Sequence, residues 1–184
     1  MNEIRWHGRG GQGGFTAARL LGMAASFYPN YYVQAFPSFG PERRGAPVLG
    51  FTRIDTQPIF DHSMVYGCDY VVVLDESLLE TVDVRKGLRP GGILLINSSH
   101  EPEHFMTAHD FGLYTIGATG IATEILGQVV VNTAMFGALI AVSGLVSLEA
   151  ALRAVELTLP QKIWDKNKKV VEIAYNQLRG AKSC

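Results

Sequence analysis

The residues best equipped for chemistry stand near the beginning of the chain, in Trp6-His7-Gly8-Arg9-Gly10-Gly11-Gln12-Gly13-Gly14. A short strand-like run, Glu3 to His7, leads into them, and a segment with helical spacing (Phe15, Leu20, Leu21, Met23, Ala24, Phe27) leads out. A strand, a glycine turn and a helix in that order gather backbone N–H groups and a positive helix end at one point, where an anionic group can sit. Arg9 adds a formal charge within the turn. Gly8, Arg9, Gly10, Gly11, Gln12 and Gly13 are therefore expected to face a ligand or a partner. The plainer alternative is that the glycines only let the first helix pack tightly on its strand.

The spacing of Gly8, Gly10 and Gly13 fits the dinucleotide pattern G-x-G-x-x-G in the expected strand-to-helix context. Its other half is missing: the second strand, Tyr31 to Phe36, ends in Ala35-Phe36-Pro37, with no carboxylate for a ribose. A P-loop fails as well, because Gly14 and Phe15 stand where Lys and Ser or Thr must reach phosphate and magnesium.

A second candidate is the loop from Pro37 to Pro47, which carries Glu42, Arg43, Arg44 and Gly45. Its prolines and glycines restrict the backbone and hold the charged residues in place. Phe36 and Phe39 flank the arginines, as suits packing on a partner or stacking on a ligand. A solvated turn with arginines in water is the alternative. Asp75 could accept from a ligand hydroxyl or cap the helix that follows, and Asn97-Ser98-Ser99 falls at the carboxyl end of a buried strand, where open α/β sheets bind ligands. His100, Glu101, Glu103, His104, His109 and Asp110 read as a polar loop rather than a metal site. His7 and His62 read as ordinary strand-end residues, and no catalytic triad order is present.

These residues need a scaffold, and composition bounds it. With 184 residues, 47% hydrophobic and 18% charged, the chain is expected to form one domain over residues 1–184, burying about 70% of its unfolded surface. The pattern predicts an α/β fold of three layers, α/β/α, around a mixed, mostly parallel sheet of about six strands, with a helical C-terminal third. Val48 to Ile54 should return antiparallel to the second strand, because the connection is too short for the usual parallel crossover. Tyr70 to Leu74, Ile93 to Ile96 and Gly112 to Ile116 read as further strands, with Leu88-Arg89-Pro90-Gly91-Gly92 as a turn and Gly117-Ala118-Thr119-Gly120 as a second small-residue turn. Helices follow over Val129 to Val142, from an N-cap at Ser147 to Leu157, and from Pro160 through Leu178. Lys162, Lys166, Lys168 and Lys169 crowd the first half of the last one, as a solvated face does.

Ile125 to Leu148 carries no charge, yet Gly127 and Gly144 look like breaks, so a helix buried on all sides is expected rather than a membrane span. A net charge of -1 argues against a general nucleic-acid binder. Cys68 and Cys184 form no CxxC pair, which fits a reducing, cytoplasmic setting and excludes a four-cysteine iron–sulfur site within this chain alone. The first residues lack the pattern of a signal peptide.

Taken together, Ile4-Arg5-Trp6-His7-Gly8-Arg9-Gly10-Gly11-Gln12-Gly13, the loop Gly40-Pro41-Glu42-Arg43-Arg44-Gly45, and Asn132 ahead of Gly137-Ala138-Leu139 resemble the gamma subunit of 2-oxoacid:ferredoxin oxidoreductases. The resemblance runs from Ile4 to about Tyr175. It implies a reaction in which a 2-oxoacid is oxidatively decarboxylated, electrons pass to ferredoxin and the acyl group goes to coenzyme A. It further implies alpha, beta and ferredoxin-like delta subunits as partners, with thiamine diphosphate, Mg and iron–sulfur clusters held by those partners and no cofactor held by this chain alone. On that reading the glycine turn with Arg9, the loop with Arg43 and Arg44, and Asn132 face the shared active site, coenzyme A or a neighbouring subunit. A purely structural assembly subunit, a stand-alone Rossmann-like nucleotide binder and a homodimer stay open as alternatives.

Overall fold

The computed structural model describes residues 1–38, 45–105 and 110–181. Six strands form one sheet: β1 (Asn2–Arg9), β2 (Tyr32–Pro37), β3 (Pro47–Asp55), β4 (Cys68–Val73), β5 (Leu88–Asn97) and β6 (Gly112–Ile116). Their order is β2-β3-β1-β4-β5-β6. β1, β4, β5 and β6 run parallel to one another, while β3 is antiparallel to both β1 and β2. The mixed sheet follows from the short path between β2 and β3, which leaves the chain no room for a crossover helix.

Five α-helices, α1 (Gly14–Ala25), α2 (Ala118–Leu126), α3 (Asn132–Ser143), α4 (Leu148–Thr158) and α5 (Trp164–Leu178), share one core with Ile4, Trp6, Val72, Leu95 and Ile116 on one face of the sheet. The opposite face, built on Phe51, Val71, Val73, Leu94, Ile96 and Leu113, is covered by loops and by the 3-10 turns Glu76–Glu80 and Pro102–Phe105. The third layer is thus present without a long helix in it.

Alternation along β1 explains how both faces are served. Ile4 and Trp6 enter the helical core, whereas Glu3, Arg5 and His7 point to the other side and are buried there as well. Burial of α3 is as complete as the uncharged stretch implies: every residue from Asn132 to Ile140 is buried. Gly127 and Gly144 end α2 and α3 in the left-handed region, at φ 68° and 63°, which a side chain disfavours. Gly137 is where α5 comes closest: a Cβ there would stand 2.5 Å from the carbonyl oxygen of Val171. Among the described residues, no helix is long and apolar enough to cross a membrane.

Several local expectations change. Leu88 to Gly92, expected as a turn, belongs to β5, with a register shift against β4 that Gly91 accommodates at φ 74°. Asp75 begins a 3-10 turn instead of an α-helix, and the long helix expected from Val129 starts at Asn132, leaving Val129 exposed. Ser147 caps α4 as expected, accepting from the N–H of Ala150 at 3.1 Å.

Candidate ligand- and partner-facing site

β1 delivers the glycine turn to the carboxyl edge of the sheet. Its antiparallel register with β3 ends on Arg9 opposite Pro47, so the turn meets the end of the proline-rich loop. The Gly10 N–H donates to the carbonyl of Ala46 at 2.9 Å, and the Gly45 N–H donates back to the carbonyl of Gly10 at 3.2 Å. The glycine turn and the end of the proline-rich loop, more than thirty residues apart in sequence, are therefore hydrogen-bonded to each other. Glu42, Arg43 and Arg44 themselves lie outside the described residues, as does His109.

Within the turn, Gly13 adopts φ 79° and opens α1 without any side-chain cap. A Cβ on Gly13 would lie 2.5 Å from Nδ2 of Asn132, so the third element of the resemblance packs directly on the first. Gly11 also has positive φ, 98°, but faces open space. Gln12 binds in two directions: its Oε1 accepts from the N–H of Arg9 at 2.7 Å, and its Nε2 donates to Asp75 at 2.8 Å. Gly8 touches Gln12 and Leu74 at ordinary distances.

Arg9 is not a free cation. Its Nε donates to Asp75 Oδ2 at 3.2 Å, Nη2 to Ser77 Oγ at 2.7 Å and Nη1 to the carbonyl of Gly45 at 3.2 Å. Asp75 also accepts from the N–H and hydroxyl of Ser77, which is the capping role anticipated for it. Partial burial pushes the Asp75 carboxyl up, but hydrogen bonds from Ser77 and Gln12 and the charge of Arg9 outweigh it and hold the group below the usual carboxylate range.

Beside this cluster a cleft of about 520 Å³ opens, lined by Gln12, Asp75, Asn97, Ser98, Ser99 and Thr119 among others. Its place has a topological cause. From β1 the chain enters α1 on one face, and from β4 it enters the 3-10 turn on the other, so a crevice forms between their carboxyl ends. Asn97 ties the floor together, donating to the carbonyl of Leu74 at 2.8 Å and accepting from the N–H of Thr119 at 3.2 Å. Gly117 to Gly120, expected as a turn before a helix, is instead the N-cap and first three residues of α2, and Gly117, Thr119 and Gly120 line this cleft.

His7, His100 and His104 are held in structural contacts. His7 is buried, and its Nε2 accepts from Nε of Arg5 at 2.9 Å. Burial, reinforced by the charge of Arg5, lowers its pKa to about 3, so the ring is neutral. His100 and His104 stack with ring centroids 4.3 Å apart. Among the described residues no three His, Cys, Asp or Glu side chains gather into a group that could hold a metal ion. Cys68 is buried, and burial raises its thiol pKa.

The sequence reading missed a buried charge network under the opposite end of β1. Glu3 binds Arg53 at 3.0 Å and Arg89 at 2.6 Å, Arg89 binds Asp69 at 2.8 Å, and Arg53 reaches Asp61 at 3.3 Å. The signal was present in the alternation Glu3, Arg5, His7, Arg9 against Ile4 and Trp6. An alternation of this kind ordinarily marks a solvated face, and here loops cover it.

Fold and site define an open α/β domain whose glycine turn, proline-rich loop and switch-point cleft share one edge of the sheet. The chain belongs to the pyruvate ferredoxin/flavodoxin oxidoreductase family, whose profile matches residues 3–177. Pyruvate synthase subunit PorC of Methanothermobacter marburgensis is 50% identical over 179 residues, spanning 97% of this chain and 98% of the relative. The pyruvate/ketoisovalerate oxidoreductases common subunit gamma of Thermococcus kodakarensis is 49% identical, spanning 96% of this chain and 97% of its own. The crystal structure of pyruvate oxidoreductase subunit PORC from Thermotoga maritima superposes with a TM-score of 0.82 at 39% identity, covering 95% of each chain.

Proposed function

We propose that this chain is the gamma subunit of a cytoplasmic 2-oxoacid:ferredoxin oxidoreductase, an assembly that converts a 2-oxoacid and coenzyme A to acyl-CoA and CO2 while reducing ferredoxin. Alpha, beta and ferredoxin-like delta subunits complete it and hold thiamine diphosphate, Mg and the iron–sulfur clusters. Within the assembly the glycine turn and the Glu42–Gly45 segment close the shared active-site cavity and help to hold coenzyme A. The observation that carries this role is the pairing of Gly10 with Gly45 and Ala46, which sets Arg9 at the root of the segment bearing Arg43 and Arg44. Arginine offers charge-assisted hydrogen bonds to phosphate. Asn132 supports the turn from beneath by packing against Gly13.

The test is to replace Arg9 or Arg43 by Ala in the assembled enzyme and to measure the Michaelis constant for coenzyme A and for the 2-oxoacid. Loss of one charge-assisted bond raises the coenzyme A constant about tenfold and leaves the oxoacid constant in place. An unchanged coenzyme A constant with intact assembly removes the ligand role. One observation favours a second reading, a purely structural subunit: Asp75 already balances the charge of Arg9. On that reading Arg9→Ala weakens assembly and moves neither constant.

A further inference from the structure

Four of the six residues from Gly8 to Gly13 are glycine, so the turn has only two side chains, Arg9 and Gln12, with which to fix its shape. Both end on one atom. Oδ2 of Asp75 accepts from Nε of Arg9 at 3.2 Å and from Nε2 of Gln12 at 2.8 Å. Glycine gives a backbone its widest freedom, so whatever anchors those two side chains decides how much of that freedom the turn keeps. Gln12 passes the restraint to the main chain, since its Oε1 accepts from the N–H of Arg9 at 2.7 Å. Arg9 carries it further: its Nη1 donates to the carbonyl of Gly45, the residue that follows Arg43 and Arg44 in the chain.

Capping accounts for only half of this carboxylate. Oδ1 serves the 3-10 turn, accepting from the N–H of Ser77 at 3.1 Å and from its hydroxyl at 2.6 Å, whereas Oδ2 is given to the glycine turn. With two donors on each oxygen its acceptor sites are filled, so Asp75 borders the cleft without an acceptor to spare for a ligand. We infer that Asp75 is a positioning residue for coenzyme A: acting through Arg9 and Gln12, it holds the glycine turn and Gly45, at the root of the segment bearing Arg43 and Arg44, in the shape that binds the coenzyme. This role rests on the proposed binding of coenzyme A. A carboxylate is needed here rather than any acceptor. An amide in its place turns an NH2 group on Ser77 or on the Arg9 and Gln12 pair, where it meets donors, and it lacks the charge that holds the guanidinium.

The experiment measures kcat and the Michaelis constants for coenzyme A and the 2-oxoacid in the assembled enzyme, purified without oxygen. The variants are Asp75→Asn, Gln12→Met, Arg9→Ala, Arg43→Ala and Arg9→Ala/Asp75→Asn. Ser147→Ala is the control, because it removes the cap of α4 and weakens the chain away from the turn. Asp75→Asn raises the coenzyme A constant about tenfold and leaves kcat and the oxoacid constant within about twofold. Gln12→Met keeps the contacts of Asp75 with Ser77 whole and raises the coenzyme A constant about threefold, so it carries the test should Asp75→Asn fail to assemble. The double variant stays within about twofold of the worse single one, since both changes loosen the same turn, and Ser147→Ala moves none of the three quantities. A coenzyme A constant that rises in Arg9→Ala but in neither Asp75→Asn nor Gln12→Met overturns the positioning role and leaves the coenzyme A reading standing. Effects that multiply in the double variant overturn action through Arg9. Losses that Ser147→Ala shares, or that fall equally on kcat and both constants, overturn the positioning role in favour of a structural one. A constant unmoved by Arg9→Ala overturns it too, and one unmoved by Arg43→Ala as well overturns the coenzyme A reading itself.

Discussion

The guanidinium of Arg9 donates to the carboxylate of Asp75 at 3.2 Å, joining the end of β1 to the end of β4 across the point where the chain changes sheet face. Gln12 and Ser77 bind the same carboxylate, so the two strand ends are clasped by one small polar cluster beside the cleft.

Both side chains of that pair are largely withdrawn from solvent, so the contact should be measurable. A double-mutant cycle with Arg9→Ala and Asp75→Asn is expected to give a coupling of about 1 kcal/mol by urea denaturation. It should persist in 0.5 M salt at about half that value, since a partly buried pair is screened less than an exposed one. A coupling of zero would show that the clasp depends on Gln12 and Ser77 alone.

Gly13 and Gly11 both have positive φ, yet only Gly13 touches another side chain, at Asn132. Gly11→Ala should lower stability by about 1 kcal/mol, the left-handed strain alone, and Gly13→Ala by about 2–4 kcal/mol. Adding Asn132→Ala to Gly13→Ala should recover part of the loss. Equal losses for the two single variants would deny that the Asn132 contact matters.

Buried His7 makes stability depend on pH in a defined direction. Its folded pKa, about 3, lies below the unfolded value near 6.5, so between those values the unfolded chain takes up the proton and the folded chain does not. Its contribution is therefore complete above pH 6.5 and is lost progressively as pH falls toward 3, on the order of 5 kcal/mol in all. His7→Gln keeps an acceptor for Arg5 and cannot titrate, so its stability should decline less steeply from pH 7 to pH 4. Parallel decline in variant and wild type assigns the acid sensitivity to the carboxylates instead.

Glu3 sits between Arg53 and Arg89, and Arg53 has almost no access to water. Glu3→Gln keeps the shape and removes the charge, leaving Arg53 with only the half-exposed Asp61 as a counter-ion. The expected loss is about 3 kcal/mol. Since the same network fastens the loop bearing Phe60, proteolysis in that loop should accelerate in the variant and remain slow in wild type.

Much of the fold was legible because local chemistry set it. The β-branched run ending at Asp75 read as an inner strand, Gly127 and Gly144 as breaks in the uncharged stretch, and Ser147 as an N-cap, and each is found so. The short path from β2 to β3 fixed an antiparallel return. The glycine turn and the proline-rich loop were likewise readable as special segments, because glycine and proline each leave a local mark, whereas Asn132 stood out only through the family resemblance.

What the tertiary structure decided is which of these meet. Adjacency across a sheet depends on strand order and register, which no window of sequence contains, and so the pairing of Gly10 with Gly45 and Ala46 and the packing of Asn132 on Gly13 were not readable in advance. The same holds for charge. Arg9 reads as a formal charge in the turn until β4 brings Asp75 to it, and nothing in the strand-like run Glu3 to His7 says that Glu3, Arg5 and His7 are buried beneath loops. Sequence alone carried most of the elements and the family resemblance, because both rest on residue type and spacing, but not their bounds at Leu88, Asp75 and Asn132. Burial and ion pairing waited for the fold, because they are properties of what lies across the gap.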